Sequence, residues 1–543
     1  MKYLCSLLVL AFISIEGYSQ SRTVPILSHP ASVEVEIVSV LNSSFRETNL
    51  SITPDGRYLY FMSGRGGQEW STRYGFFFQG KREFDGDIWY SEQVDGEWQR
   101  PEVLDKPINS AQGEDEPNIS PDGQRVRFQS WNRGWEKTGG PYYESTLSGV
   151  DWGKPKGLGS GINQFFVRHH YATDGMSISP NGEYYIVAAG PNYDGRLDLY
   201  LSRHQADGSW TYPRPLSVNT RKDERSIFIA GDSKTLYFAS DGYGGMGGLD
   251  LFKGVLQPDG TISDIVNLGA PFNTKADDYG FLLTADGREA YFVRDGDIYF
   301  ADLTEADPGI KPGATLLING TVKTEKGKAL ASEIELVDPK SGQLLAEGLS
   351  NSRNGEYALA IAWKPGPFVM RAQPKSYYAI TETIRKKEVG DNRSIRLDFV
   401  FSESLKVITR GESPSVHRAL VSPTPTPVDL DEPFVLLFDH NSATVKKEYA
   451  HLLQGLAKLQ KKYPDLRLAL DGHTDSNGSD GFNLDLSHRR VMAVARCLQM
   501  EGAERARLWW DYCGEAKPVA DNEEEFGRAD NRRVEIKIVR VED

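Results

Sequence analysis

The chain has 543 residues, too many for one hydrophobic core, so several domains are expected. A net charge of −14 and a pI near 5.3 exclude a nucleic-acid partner, because phosphate binding needs a basic surface. Hydrophobic content of 39%, with 53 Gly, 25 Tyr, 24 Phe and 10 Trp, points to folded protein rich in β structure and turns.

Residues 1–19 have the pattern of an export signal. Lys2 supplies the positive end, residues 4–15 a short apolar run, and Gly17 and Ser19 the small residues of a cleavage site that leaves Gln20 first. The run is too short for a transmembrane helix and no later stretch qualifies, so no membrane span is expected in the mature chain. Lipid attachment needs a Cys after the apolar run; Cys5 is not so placed, and no lipid anchor is expected. Cys497 and Cys513 then remain, either bridged or as free thiols. No metal-ligand spacing of Cys or His occurs, so no metal or cofactor is expected.

A unit returns five times through the first half. Thr53-Pro54-Asp55-Gly56, Ser120-Pro121-Asp122-Gly123, Ser179-Pro180-Asn181-Gly182, Ala230-Gly231-Asp232-Ser233 and Thr284-Ala285-Asp286-Gly287 each precede an aromatic-rich run. Their Asp or Asn positions lie 51 to 67 residues apart (55, 122, 181, 232, 286), a period that suits one four-stranded propeller blade. The turn tetrapeptide sets a tight reversal between strands. A second signal follows it, as in Asp87-Ile88-Trp89-Tyr90 or Asp250-Leu251-Phe252. The fifth unit lacks a last strand, and residues 36–42 resemble the missing piece, so the N-terminal strand is expected to complete the last blade. The count gives five blades, with long inserts in the first two units leaving room for a sixth.

These units resemble the PD40, or WD40-like, β-propeller repeats of periplasmic TolB-type proteins over residues 30–305. The recurring aspartates are taken as turn residues, because one active site would use them once and not in unit after unit. His169-His170 is taken as a surface pair in a loop.

Residues 313–402 change character. Ile318 to Val322 starts a strand, Asn354-Gly355 marks a hairpin, and Tyr357, Leu359, Ile361 and Trp363 share a strand face. A β-sandwich of about seven strands is expected. It resembles the carboxypeptidase regulatory-like, transthyretin-like domain, which implies a spacer or docking role. Pro423-Thr424-Pro425-Thr426-Pro427 lies in a linker over 403–430, where dense proline favours an extended connection.

The last domain, 431–541, is expected as βαβαββ. Strands fall at 434–438, 466–470, 508–512 and 534–538, and a first helix runs to Pro464. Ser487 is the expected N-cap of the second helix, whose apolar face is Val491, Val494, Ala495 and Leu498. That start puts His488, Arg489 and Arg490 in the first turn, against the helix dipole, and so points to a bound anion.

Phe438-Asp439-His440-Asn441, Gly472-His473-Thr474-Asp475, Asn483, Leu486-Ser487-x-x-Arg490 and Asn531-Arg532-Arg533-Val534-Glu535-Ile536 together resemble the OmpA-like peptidoglycan-binding family. The resemblance implies recognition of the meso-diaminopimelate side chain of the stem peptide. Asp475 would pair with its ammonium and Arg490 with its carboxylate, helped by backbone amides near the helix start. Asn441, Thr474 and Asn483 would hydrogen-bond around them. His440 and Val491 depart from the family pattern. The plain alternative is an exposed Asp475–Arg490 bridge, a contact of about 0–1 kcal/mol. Arg532 and Arg533 are left open between packing, solvent and ligand.

The function expected is a non-catalytic, periplasmic envelope protein at the outer membrane and peptidoglycan layer, with propeller and sandwich presenting a platform for envelope or secretion-system proteins. The domain combination resembles PorE-type tethers of type IX secretion and gliding machinery. The alternative is a propeller-type glycan hydrolase brought to the wall by its last domain; no acid pair stands out from the repeat to support it.

Overall fold

The structure is a computed structural model that describes residues 24–65, 75–78, 81–84, 86–130, 140–191, 196–205, 208–340, 343–375, 377, 379–386, 394–402 and 433–540. The signal sequence and the Pro-rich stretch 403–430 lie outside the described residues.

The chain is mostly β. Its N-terminal part folds into five antiparallel sheets of four or five strands. Their first strands are Glu47–Ile52, Glu114–Ile119, Ala172–Ile178, Glu224–Ile229 and Asp278–Leu283. Each leads into one of the repeated tetrapeptides, where the same two bonds recur: Thr53 N to Tyr58 O is 3.0 Å and Gly56 N to Thr53 O 2.9 Å, with counterparts at Ser120, Ser179, Ala230 and Thr284. Residue four of the turn is left-handed, at Gly56, Gly123, Gly182, Ser233 and Gly287. Three of the five Asp or Asn carboxyl or amide oxygens accept from the hydroxyl of the turn's first residue at normal length (Asp55, Asn181 and Asp286). These acids are turn-closing groups.

A second recurrence lies just before four of the five first strands. Asn109 Oδ1 accepts from Ile88 N and its Nδ2 donates to the Ile88 and Leu104 carbonyls. Asn219 treats Leu199 in the same way, and Asn273 Leu251. Asn42, near the start of the chain, does so for Ile298 of the last sheet, at 2.7 and 2.9 Å. Glu36 and Ile37 pair there with Phe300 and Tyr299. The N-terminal strand thus completes the last sheet, as the resemblance of residues 36–42 to the missing strand anticipates.

Each first strand also carries a left-handed residue at its bulge: Asn49, Glu116, Gly175, Ser226 and Gly280. A bulge sharpens the local twist. All five residues line one narrow cavity, so the five first strands face a common space. His169 ends a helix, Ser160–His169, instead of lying in a loop, and hydrogen-bonds Tyr212 Oη at 2.9 Å. Phe165 and Phe166 turn that helix inward.

Two four-stranded sheets make the middle part, closed over Leu316, Ile318, Ile334, Leu336, Leu359 and Met370. Eight strands appear where about seven are expected, because the edge breaks at Leu397–Asp398 and both pieces, Ser394–Arg396 and Phe399–Phe401, pair with Thr315–Thr324.

The C-terminal sheet runs Phe434–Leu437, Arg533–Arg540, Leu466–Gly472, Leu508–Tyr512, with the last two parallel. Helices Ala450–Lys462 and Asp480–Met500 cover it through Leu453, Leu456, Val491, Val494 and Leu498. A third helix, Glu525–Asn531, precedes the final strand and is absent from the expected order. It has seven residues and no apolar stripe, its Phe526 being 86% exposed. No helix among the described residues is long and apolar enough to cross a membrane. Cys497 and Cys513 are free thiols.

The sandwich packs on the C-terminal part. Glu333 accepts from Trp510 Nε1 at 2.8 Å and lies 3.2 Å from His488 Nε2. Arg371 sits 3.7 Å over the Trp510 ring, and Arg505 pairs with Glu335.

Candidate functional site

The long helix starts earlier than its apolar face suggests. Ser479 is the N-cap, its hydroxyl accepting from Phe482 N at 3.4 Å, and Asp480 occupies the first turn. Ser487 is therefore not a cap. It is buried mid-helix, donating to Leu484 O at 2.7 Å and accepting from Gly514 N at 3.0 Å. Arg490 is three turns in, about 15 Å from the helix start. The dipole conflict and the role for amides at that helix start both fall away. The first two turns read as loop because Asp480, Gly481 and Asp485 give no apolar stripe.

What places the site is a close crossing. A Cβ on Gly472 would come within 2.5 Å of the Ser487 carbonyl and of Val491 Cγ2, so only glycine lets the strand pass under the helix. The loop that follows is tied down by His473 N to Arg533 O and Thr474 N to Gly514 O, both 2.9 Å. This sets His473, Thr474 and Asp475 beside the middle of the helix.

Arg490 is fully buried. Its Nε donates to Ser442 O at 2.9 Å, Nη1 to His473 O at 2.8 Å and Nη2 to Asp439 O at 3.2 Å. The guanidinium also stands 5.3 Å from the Phe438 ring centre. Three of its five N–H groups are used, leaving one on each Nη. Burial draws its pKa down to about 10 while the nearby Asp475 charge pulls it up, so it stays cationic at neutral pH.

Asp475 is 3% exposed. Its Oδ2 accepts from Arg532 Nη1 at 2.9 Å and lies 3.7 Å from His440 Nδ1, and its Oδ1 accepts from Asn477 N at 3.3 Å. Arg532 reaches on to Glu525 Oε1 at 2.9 Å. Burial opposes its charge, but Asp475 and Glu525 outweigh that and hold it above the ordinary arginine value. Arg533 turns the other way, to Glu535 Oε1 at 2.9 Å.

The structure thus brings Asp475 and Arg490 into one buried locus without a direct ion pair between them; the exposed-bridge alternative does not describe it. Sequence reasoning missed Arg532 as the partner of Asp475. The signal was the Asn-Arg-Arg run, which does not say which arginine turns inward. Asn441 is exposed, left-handed at φ 51°, between the two residues, Asp439 and Ser442, whose carbonyls Arg490 holds. Thr474 and Asn483 are buried, and Asn483 Nδ2 donates to Glu515. Thr474 Oγ1, Asn483 Oδ1 and both His473 ring nitrogens have no partner among the described residues. Burial, then Arg533, push the His473 pKa to about 2, so its ring is neutral. Among the described residues no group of His, Cys, Asp and Glu could hold a metal. A carboxylate, a guanidinium with spare N–H groups, and unpaired neutral polar atoms suit a small ligand bearing both charges.

A model of the OmpA family matches residues 437–532. The chain is 38% identical over 109 residues to the probable lipoprotein YiaD of Escherichia coli (strain K12), covering 20% of this chain and 50% of that protein. It is also 38% identical over 100 residues to a peptidoglycan-associated lipoprotein of Pseudomonas aeruginosa, covering 18% of this chain and 59% of that protein. The crystal structure of the peptidoglycan-associated lipoprotein from Burkholderia pseudomallei aligns at 33% identity over 19% of this chain and 89% of that one, with a TM-score of 0.19. The chain therefore spans between half and three fifths of the two curated relatives.

Proposed function

Its C-terminal part is an OmpA-family domain, and from that premise we propose that the protein is a non-catalytic, periplasmic tether that binds peptidoglycan without a covalent bond. Asp475 takes the ammonium and Arg490 the carboxylate at the far end of the meso-diaminopimelate side chain. Asn441, Thr474 and Asn483 complete the hydrogen bonds. The observation that carries this reading is the burial of an acid and an arginine, Asp475 and Arg490, in one locus, with polar atoms of the adjoining His473 and Thr474 left without partners among the described residues. A zwitterion satisfies both charges, while a ligand lacking one leaves a buried partner unmatched. The name of the Pseudomonas relative supports the same ligand.

The N-terminal sheets we take as a closed five-bladed propeller, supported by five repeats, a shared central cavity and the N-terminal strand in the last sheet. Propeller and sandwich then form a platform for envelope proteins, with a type IX secretion or gliding complex as the specific candidate. Envelope location accords with the outer-membrane and peptidoglycan-associated relatives.

Sedimentation of the full mature chain with diaminopimelate-type sacculi tests the site. Asp475→Asn should cut the bound fraction at least tenfold, with the variant shown to be folded by its melting curve. Equal sedimentation of Asp475→Asn and wild type would reject the site, and release of reducing ends from the sacculi would reject the non-catalytic reading.

A further inference from the structure

A cleft of about 530 Å³ opens where the first two N-terminal sheets meet the sandwich. Near the centre, Ile88, Ile119, Val126, Phe128 and Tyr143 fill the space between the two sheets. Tyr58, Tyr90 and Trp152 pack against this core from the cleft side and are only partly buried there. The sandwich lines the cleft with Arg353 and Glu356, and Arg57 joins the two parts by an ion pair to Glu356 at 3.1 Å.

Strand register orders the wall. Tyr60 lies opposite Tyr90, and Tyr90 opposite Glu102, while Tyr58 lies opposite Glu92. The Tyr60 and Tyr90 rings are stacked, 5.8 Å apart at 25°. Tyr90 Oη donates to Glu102 Oε2 at 2.9 Å and Tyr58 Oη to Glu92 Oε1 at 3.0 Å. The wall therefore alternates flat rings with carboxylate acceptors. Carboxylates outnumber guanidinium groups six to three around the cleft, which disfavours an anionic ligand. The strand Tyr58–Ser63 is paired on both sides, so no backbone edge is free there to take a peptide by strand addition.

We propose that this cleft binds an uncharged or amino-sugar oligosaccharide, at a site separate from Asp475 and Arg490. A sugar ring presents apolar C–H faces, which lie flat on aromatic rings, and hydroxyl edges, which donate to carboxylates and accept from guanidinium groups. The volume falls within the usual range of ligand clefts, about 300–1,000 Å³. A protonated amino sugar gains further from the acidic excess.

The test is calorimetric titration of the full mature protein with chitotriose, its deacetylated counterpart and a heparin-derived sulfated oligosaccharide. At least one of the first two should bind and the sulfated one should not. Tyr90→Ala and Glu102→Gln should each weaken binding at least tenfold, and Asp475→Asn should leave it unchanged. Should Tyr90→Ala fail to fold, the exposed Glu102→Gln decides alone. Absence of binding by both chitotriose and its deacetylated form, unchanged affinity in the folded variants, or equal affinity for the sulfated oligosaccharide would overturn the proposal.

Discussion

Arg490 has two tasks that a sequence cannot separate. In the proposed reading it offers charge to the ligand carboxylate, and it fastens the Asn441 turn and the His473 loop by three carbonyl oxygens. Removing it strands buried acceptors, at about 1–3 kcal/mol each. Arg490→Ala is therefore expected to lose several degrees of thermal stability along with peptidoglycan binding; thermal melts beside sedimentation separate the two effects. Of the residues that the motif singles out, Asp475 lies within electrostatic reach of Arg490 and Thr474 is the chain neighbour of Asp475, whereas the Asn483 amide turns to Glu515. Their pairing was not legible in the motif. Arg532 and Arg533 are neighbours in a strand-entry run, and only the closure of the short helix Glu525–Asn531 turns the first toward Asp475.

At the scale of elements, a buried acid opens each of four first strands and accepts from a Ser or Thr four residues earlier: Glu47, Glu114, Glu224 and Asp278. Arg65 neutralises Glu47 at 2.8 Å and Arg294 neutralises Asp278 at 2.6 Å. Glu114 and Glu224 have no such partner among the described residues, and burial raises both to about 7 from 4.5. A raised folded pKa means the folded state holds the proton more tightly, so stability is full below about pH 4.5 and falls as pH rises through 7. Each should cost about 1–3 kcal/mol by pH 8. Melting curves should show a decline from pH 5 to 8 that the Glu114→Gln, Glu224→Gln double variant flattens. The N-terminal strand is the second test. Deleting residues 34–42 removes the Asn42 bonds to Ile298 and exposes the strand Asp297–Asp302 along one edge, and should lower the melting temperature by several degrees; an unchanged melt would refute its part in the last sheet. Periodicity made these strands legible, since turn signals and aromatic runs are local. The Asn-Ser/Thr-x-x-x-Glu/Asp pattern was equally present but needs long-range partners to be understood. The start of the helix Asp480–Met500 was missed because its first apolar residues, Phe482, Leu484 and Leu486, fall at every second position and not at helical spacing.

For the whole molecule, the C-terminal part is joined to the sandwich by the Glu333, His488 and Trp510 contacts. Burial opposes the charge on Glu333, but the bond from His488 holds its carboxyl at about 2. Burial likewise opposes the charge on His488, yet Glu333 raises it above its ordinary value. The Glu333 contribution is present above about pH 4.5 and lost as pH falls toward 2. The His488 contribution is present below about pH 6.5 and lost as pH rises through its raised value. The joint should be tightest between these limits, and Glu333→Gln should loosen it at neutral pH. Small-angle scattering checks this through a larger radius of gyration in the variant and at both pH extremes. His488 is two residues from Arg490 on one helix, so the same variant reports whether ligand affinity depends on the joint.

The last N-terminal sheet borrows its edge from the far end of the sequence: Ile37 waits for Tyr299. A growing chain can therefore form four sheets early, but the fifth stays open until residue 302 has emerged. Such distant contacts slow folding, and an unpaired strand is prone to the wrong neighbour. A holdase that shields that edge during transit would raise the yield of this protein more than one that shields its C-terminal part.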